Sequence, residues 1–148
     1  GQWMDPGPFG TLGVGTGFCM AASVAAPNKK VLMVNGDGTF GLNGFDFDTF
    51  VRFNMPVVSV IGNDRCWHQI YVGQKAQYGE GRTPATKLAD TARYDKVVEG
   101  LGGHGEFVEH PEQIKGAIER AFNSGKPACV NVIMDPEPPG VKGGYEFK

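Results

Sequence analysis

Two polar residues in this chain have the spacing of ligands held at one edge of a parallel sheet. Asp37 lies within the segment 36–39 at the end of an apolar run, and Asn63 ends the next apolar run. The interval between them accommodates a strand end, a crossover helix and a neighbouring parallel strand, so both side chains are expected at the carboxyl edge of one sheet. Because carboxylate, amide and main-chain oxygens suit Mg²⁺, and flanking glycines let amides approach a phosphate, the pair predicts a magnesium-bridged diphosphate site.

The elements that must position this pair follow from short apolar runs and the stretches between them. Residues 30–35 and 57–62 are rich in strand formers and are bounded by turn residues, so both are predicted as strands. Apolar residues recur through residues 41–54, which predicts an amphipathic helix ended by Pro56. Residues 64–82 have no clean period and are predicted to begin a helix and continue as a mobile loop.

The remaining segments continue the alternation of helices and strands. The pattern predicts a glycine-punctuated turn and helix over residues 10–26, a helix over 87–101, a strand over 105–108, a helix over 111–123 and a buried strand over 128–134. This order predicts an α/β fold, with an open, mostly parallel sheet flanked by helices, in one domain over residues 1–135. Prolines and glycines predict a linker or frayed tail over residues 136–148.

Composition excludes several functional classes. A chain of 148 residues builds one substantial core, and a net charge of −2 gives no reason to expect nucleic acid or an anionic membrane. No apolar run reaches membrane-spanning length. The three cysteines lack CxxC spacing, which favours a reduced, cytoplasmic setting. The chain has no initiator Met, so we expect an N-terminally truncated piece of a longer polypeptide.

The residues around Asp37 resemble a known cofactor signature. Gly36-Asp37-Gly38 followed by Asn63 is similar to the GDG motif and the terminal NN pair of thiamine diphosphate-dependent enzymes, with Gly62 in place of the first Asn. The resemblance implies the thiamine diphosphate-binding, PP-type fold of the C-terminal domain in that family. It also implies thiamine diphosphate and Mg²⁺ as cofactors.

A second block of sequence supports the same family. Gly10-Thr11-Leu12, with the glycine that follows, resembles the GTMG-type turn that these enzymes place ahead of the GDG motif. Residues 47–70 are most similar to the acetolactate synthase-like and 2-hydroxyacyl-CoA lyase group. Two blocks in the expected order are more specific than either alone.

The resemblance implies a role for particular residues. Asp37, Asn63 and the main-chain carbonyl of Arg65 would bind the metal. Leu12 would be wedged between the two rings of the cofactor, and Thr39 would bind the diphosphate or, as an ordinary alternative, cap a helix or turn. The residues implied in cofactor binding are Gly10, Thr11, Leu12, Gly36, Gly38, Thr39 and Phe40.

No catalytic group is identified in the chain itself. Trp67, His68 and Gln69 follow the metal loop and are candidates to face the substrate, although a Trp at a helix start is more often a core residue. Cys66 lacks a base nearby in sequence, so packing is favoured over nucleophilic catalysis. In the family, the activating glutamate comes from a separate pyrimidine-binding domain, which this sequence does not resemble.

The resemblance implies an enzyme that cleaves or forms carbon–carbon bonds next to a carbonyl. Its substrate would be a small 2-oxoacid or a 2-hydroxyacyl-CoA. The diphosphate domain would pair with a pyrimidine-binding domain in a homodimer or homotetramer, and this chain alone would be inactive. Two alternatives stay open: a non-catalytic phosphate-binding or assembly domain, and one subunit of a split 2-oxoacid decarboxylase.

Overall fold

Four short strands form one parallel sheet in the computed structural model, which describes residues 2–136. Their order across the sheet is β1-β2-β4-β3, and each neighbouring pair is parallel. The strands are β1 (Val31–Gly36), β2 (Val57–Asn63), β3 (His104–Val108) and β4 (Ala128–Ile133). The predicted α/β fold with an open, parallel sheet flanked by helices is confirmed.

Helices supply the crossover connections that parallel strands require. They are α1 (Gly15–Ala25), α2 (Asp37–Asn43), α3 (Phe47–Arg52), α4 (His68–Tyr78), α5 (Tyr94–Gly100) and α6 (Ile114–Asn123), with short 3₁₀ turns at Gly7–Phe9, Gly44–Asp46 and Pro111–Gln113. Among the residues that the structure describes, we find no helix with the length and apolarity needed to span a membrane.

The register between β1 and β2 brings the two predicted ligand residues to one edge. Gly36 at the end of β1 lies opposite Gly62 of β2. Asp37 directly follows Gly36, and Asn63 directly follows Gly62. Neighbouring strands lie about 4.8 Å apart. Both residues therefore emerge side by side at the carboxyl edge, as the sequence predicts.

An aromatic cluster fills one face of the sheet. Phe47 and Phe50 have no exposed surface, and their rings meet edge to face with centroids 5.1 Å apart. They pack on Val57 and Ile61 of β2 in the same buried cluster. The short helices α2 and α3 are thus held against the strand that ends in Asn63.

Helix α6 covers part of the opposite face. Ala117 and Ala121 have no exposed surface and pack against Val58 and Val130 of the sheet. Small side chains on the buried stripe of α6 let the helix lie close to the strands. The sheet therefore has a buried layer on both faces, which is typical of parallel sheets.

The crossover between β1 and β2 differs from the single helix predicted over residues 41–54. The first helix starts earlier, at Asp37, and a 3₁₀ turn over Gly44–Asp46 separates it from the second. A Cβ on Gly44 would lie 2.5 Å from the Phe40 ring, so the glycine lets that ring pack against the interruption. Packing of the aromatic cluster has determined where the helices break.

Two further predictions about local structure are wrong. The mobile loop predicted within residues 64–82 is helical over His68–Tyr78. The helix predicted over residues 87–101 begins at Tyr94, because Lys87 pairs with Cys66 in an antiparallel bridge instead. Strand-like pairing to a distant segment has overridden the local helical pattern. Most of the predicted tail, residues 137–148, lies outside the described residues.

The aromatic cluster leads to a prediction with a control two residues away in the sequence. We expect Phe47→Ala to lower the free energy of unfolding by about 3–5 kcal/mol, since it removes a fully buried ring. Phe45→Ala removes a side chain that is 77% exposed and should change stability by less than about 0.5 kcal/mol. Urea unfolding of both variants measures the difference, and equal losses would contradict the assignment of the core.

Candidate metal and diphosphate site

Asp37 is the first residue of α2 and lies at the point where three segments meet. Its side chain is buried, with 2% of its surface exposed. One carboxylate oxygen accepts a hydrogen bond of 2.7 Å from the Gly38 amide, and the other accepts one of 3.2 Å from the Cys66 amide. The loop after β2 is thereby drawn to the carboxylate at the end of β1.

The partners of the Asp37 carboxylate in the described part of the chain are backbone amides. Within residues 2–136, no Lys or Arg forms an ion pair with it. Burial raises the pKa of Asp37, against the hydrogen bond from Gly38, and the negative charge of Asp64 adds to the rise. A buried carboxylate without a counter-charge is costly. The position therefore fits a bound cation.

Asn63 presents its amide group at the end of β2, with 1% of its surface exposed. Its Nδ2 donates to Oδ1 of Asn131 at 3.0 Å, and its Oδ1 accepts a longer bond of 3.2 Å from the Arg65 amide. An amide oxygen has two lone pairs, so Oδ1 can serve one further partner on the side of the loop.

The main-chain carbonyl of Arg65 completes the set of oxygens implied by the resemblance. Arg65 has φ of +61°, a left-handed conformation that is uncommon for a residue with a side chain and often marks functional loops. Its carbonyl accepts a hydrogen bond of 2.8 Å from the Leu88 amide and keeps a second lone pair. Carboxylate, amide and carbonyl oxygens form a donor set suited to Mg²⁺.

No cluster of three His, Cys, Asp or Glu side chains able to hold a metal is present in the described part of the chain. The Asp37 site is of a different kind, because it combines one carboxylate with an amide and a carbonyl. Such a set leaves several coordination positions for phosphate oxygens and water, which is the usual way that proteins hold Mg²⁺.

Glycine fits the two positions beside Asp37 for different structural reasons. A Cβ on Gly36 would lie 4.0 Å from the Gly62 carbonyl oxygen, its nearest neighbour, so there is room for a bound group. A Cβ on Gly38 would lie 2.7 Å from the Trp67 ring. The prediction that both glycines serve phosphate approach is therefore incomplete, since packing of Trp67 already requires glycine at position 38.

The next two residues of α2 are also predicted to bind the cofactor. Thr39 is half-buried, and α2 has no side-chain capping bond, so the alternative role of Thr39 as a helix cap is wrong. Phe40 is 5% exposed, with its ring centroid 5.1 Å from that of Tyr94. The Phe40 side chain belongs to the core, which leaves its main chain for any cofactor contact.

The turn at Gly10, Thr11 and Leu12 is exposed, and the next residue, Gly13, lies against the far end of α2. Gly10 has φ of +58°, which favours glycine, and Leu12 is 51% exposed just before α1. A Cβ on Gly13 would lie 3.3 Å from Cβ of Leu42. Gly13 and Thr39 line one small cleft, which is also lined by Gly15, Thr16, Met33, Asn35, Phe40, Asn43 and Gly44.

The three candidates for substrate contact have different surroundings. Trp67 is half-buried with its ring on Gly38, which supports the packing role. His68 holds Nδ1 at 2.9 Å from the Asp64 carboxylate, and Gln69 is exposed. Cys66 is 3% exposed, and burial raises the pKa of its thiol, which supports packing over nucleophilic chemistry.

Two residues not predicted from the sequence extend this site through hydrogen bonds. Asn131 lies in β4 and binds the Asn63 side chain, and Asp95 in α5 binds Asn131 at 3.1 Å. A signal for Asn131 was present, because it is a polar residue between Val130 and Val132 in a run predicted to be buried. A buried polar side chain needs a hydrogen-bonding partner.

The comparison with protein families agrees with this geometry. Residues 1–132 match the family model described as "Thiamine pyrophosphate enzyme, C-terminal TPP binding domain". The chain belongs to this family, whose cofactor, thiamine pyrophosphate, is the same compound as thiamine diphosphate. The predicted family and its cofactor are confirmed.

Individual relatives belong to the two predicted enzyme groups. An acetolactate synthase large subunit from Mycobacterium tuberculosis is 48% identical over 136 residues, which are 92% of this chain and 24% of that protein. A 2-hydroxyacyl-CoA lyase from Oryza sativa is 37% identical over 151 residues, covering 98% and 26% of the two chains. The 2-hydroxyacyl-CoA lyase 2 of Caenorhabditis elegans is 44% identical over 139 residues, covering 90% and 21%.

The chain spans about a quarter of the length of the curated relatives it matches. These relatives are thiamine diphosphate-dependent enzymes by name or family, and this chain corresponds to their diphosphate-binding domain.

The contact between Gly38 and Trp67 leads to a prediction that compares two glycines of α2. We expect Gly38→Ala to lower the free energy of unfolding by about 1–3 kcal/mol, because the new methyl group overlaps the Trp67 ring. Gly41→Ala is the matched control, since its Cβ would meet no atom within 4 Å. Alanine is the better helix former, so the control should gain roughly 0.5–1 kcal/mol. Thermal or urea unfolding that ranked the two variants in the opposite order would contradict the packing.

Proposed function

We propose that this chain binds Mg²⁺ and the diphosphate of thiamine diphosphate at the carboxyl edge shared by β1 and β2. The observation that carries the proposal is the buried Asp37 carboxylate, which has no cationic partner within the described residues and adjoins the Asn63 amide. The ligands would be the Asp37 carboxylate, Oδ1 of Asn63 and the main-chain oxygen of Arg65. Phosphate oxygens and water would complete the coordination.

Other segments around the edge would bind the rest of the cofactor. The open space at Gly36, the Gly38 amide and the Thr39 hydroxyl would face the diphosphate. The main chain of Phe40 follows them in α2. The turn at Gly10, Thr11 and Leu12 would bind the aminopyrimidine end. Gly13, the residue after that turn, lines one cleft with Thr39, which supports this placement.

The reaction proposed for the whole enzyme is the cleavage or formation of a carbon–carbon bond next to a carbonyl. When bound, the cofactor supplies an electron sink for the carbon whose bond breaks. The chain's own residues hold the diphosphate and leave the edge of the sheet open for substrate. The names of the relatives support a 2-oxoacid or a 2-hydroxyacyl-CoA as the substrate class.

Several predicted features belong to the same proposal. His68 and Gln69 begin α4 next to the metal loop and would face the substrate, whereas Trp67 would support Gly38. The domain would extend over residues 1–135, with a linker or tail over 136–148. A pyrimidine-binding domain would complete the active site in a homodimer or homotetramer, so the chain alone would be inactive. A cytoplasmic location also stays a prediction.

Calorimetric titration of the 148-residue chain with thiamine diphosphate tests the site. We expect uptake that requires Mg²⁺, and we expect Asp37→Ala to weaken it at least about tenfold, because the carboxylate is the one charged ligand in the proposed set. Asp48→Ala is the control, since Asp48 is exposed and pairs with Arg52 on α3.

Binding that is equally tight without Mg²⁺, or undiminished in Asp37→Ala, would refute the site. Circular dichroism confirms that each variant is folded, and Asp37→Asn replaces the alanine variant if that one is not. In a polypeptide that also carries a pyrimidine-binding domain, acetolactate formation from pyruvate and aldehyde release from a 2-hydroxyacyl-CoA distinguish the two substrate classes.

A further inference from the structure

A line of buried side chains connects Asn63 to helix α5. Nδ2 of Asn63 donates to Oδ1 of Asn131 at 3.0 Å, and Nδ2 of Asn131 donates to Oδ1 of Asp95 at 3.1 Å. None of the three residues has more than 1% of its surface exposed. The hydrogen bonds therefore form in a region without water, where an unpaired donor or acceptor is costly.

The far end of this line is held by a cation. Arg93 donates from Nε to Oδ1 of Asp95 at 3.0 Å and from Nη2 to Oδ2 at 2.7 Å. The guanidinium itself lies 3.9 Å from the centre of the Phe107 ring. Burial alone would raise the pKa of Asp95, but the bonds from Arg93 and Asn131 outweigh it and the pKa is lowered. The paired bonds from the Arg93 guanidinium hold Asp95 as a carboxylate in the folded chain.

An ionised carboxylate imposes a direction on the two amides. It accepts hydrogen bonds and donates none, so Asn131 must turn its NH₂ group toward Asp95 and its oxygen toward Asn63. Asn63 must then turn its own NH₂ group toward Asn131. Its oxygen is left on the opposite side, where it accepts from the Arg65 amide. A flipped Asn63 would oppose two acceptor oxygens at the Asn131 end and two N–H donors at the Arg65 end.

We propose that Asp95 is a positioning residue for the metal site, and that it acts through Asn131 to fix the Asn63 amide with its oxygen toward the cation. The effect of Asp95 on metal binding rests on the proposed function. The orientation of the amide is a property of the chain alone. A flipped amide would present NH₂ hydrogens to the cation, so the energy difference between the two orientations enters the metal affinity directly.

The variant Asp95→Asn tests this role because it keeps the shape of the side chain and lets position 95 donate. Glu106→Gln is the matched control. Glu106 accepts bonds of 3.0 and 2.6 Å from Nε and Nη2 of Arg120, and its side chain is 12% exposed. Both variants exchange a carboxylate for an amide in an arginine pair, but within the described residues no chain of hydrogen bonds links Glu106 to Asn63.

The first measurement is the NMR spectrum of side-chain amides in the metal-free 148-residue chain labelled with ¹⁵N-asparagine. We expect one set of Asn63 signals in the unaltered chain and in Glu106→Gln. Asp95→Asn should shift or double that set, because Asn131 is no longer forced into one orientation. A buried network with a merely structural role would change stability without a change in these signals.

The second measurement is the affinity for Mn²⁺ in the presence of thiamine diphosphate. We expect Asp95→Asn to weaken it by about tenfold, as is typical when the partner of a metal ligand is altered, and Glu106→Gln to change it by less than about twofold. Asn131→Ala, which removes the link between Asp95 and Asn63, should give the same loss and serves if Asp95→Asn does not fold.

The possible outcomes distinguish the positioning role of Asp95 from the proposed function of the site. Unchanged Asn63 signals in Asp95→Asn, or equal Mn²⁺ affinity in Asp95→Asn and Glu106→Gln, would overturn the positioning role. Failure of the unaltered chain to take up Mn²⁺ with thiamine diphosphate would refute the proposed function instead. In that case the amide spectra still decide whether Asp95 sets the orientation of Asn63.

Discussion

The parallel pairing of β1 with β2 is the constraint on which the candidate site depends. Gly36 opposite Gly62 is the register that sets Asp37 beside Asn63. Since side chains alternate across a sheet, a slip of one residue would turn one of them to the other face. The buried Phe47 and Phe50 hold the crossover against β2, so the core and the site share the same strand and stabilise the same register.

Charge is distributed unevenly around this edge. Among residues 2–136, the buried Asp37 is bonded by backbone amides alone, whereas Asp95, also buried, has both Arg93 and Asn131. The Asp95 carboxylate has its counter-charge within the fold, whereas the Asp37 carboxylate requires a positive charge from a ligand. Apolar packing elsewhere in the fold offsets the free-energy cost of burying the Asp37 carboxylate, as is common at ligand-binding sites. A fully compensated Asp37 would add stability and bind a cation less well.

Sequence was sufficient for features that depend on local pattern and insufficient for those that depend on distant pairing. The strands were predicted from short apolar runs, and the family from Gly36-Asp37-Gly38 with Asn63. The helix over residues 87–101 was placed too early because nothing near Lys87 shows that it pairs with Cys66. The hydrogen-bonding partners of Asn131 could not be predicted for the same reason, since local sequence does not show which distant residues an amide in a strand will contact.

The exposed edge strand has a consequence for how this chain behaves at high concentration. Within the described residues, β1 is the first strand of the sheet, and Leu32 and Val34 are 49% and 70% exposed on the face away from the aromatic cluster. Such an edge invites intermolecular strand addition. Lys29 and Lys30 stand directly ahead of it, where repulsion between like charges opposes that growth. Salt, which screens this repulsion, should therefore favour aggregation of the isolated chain.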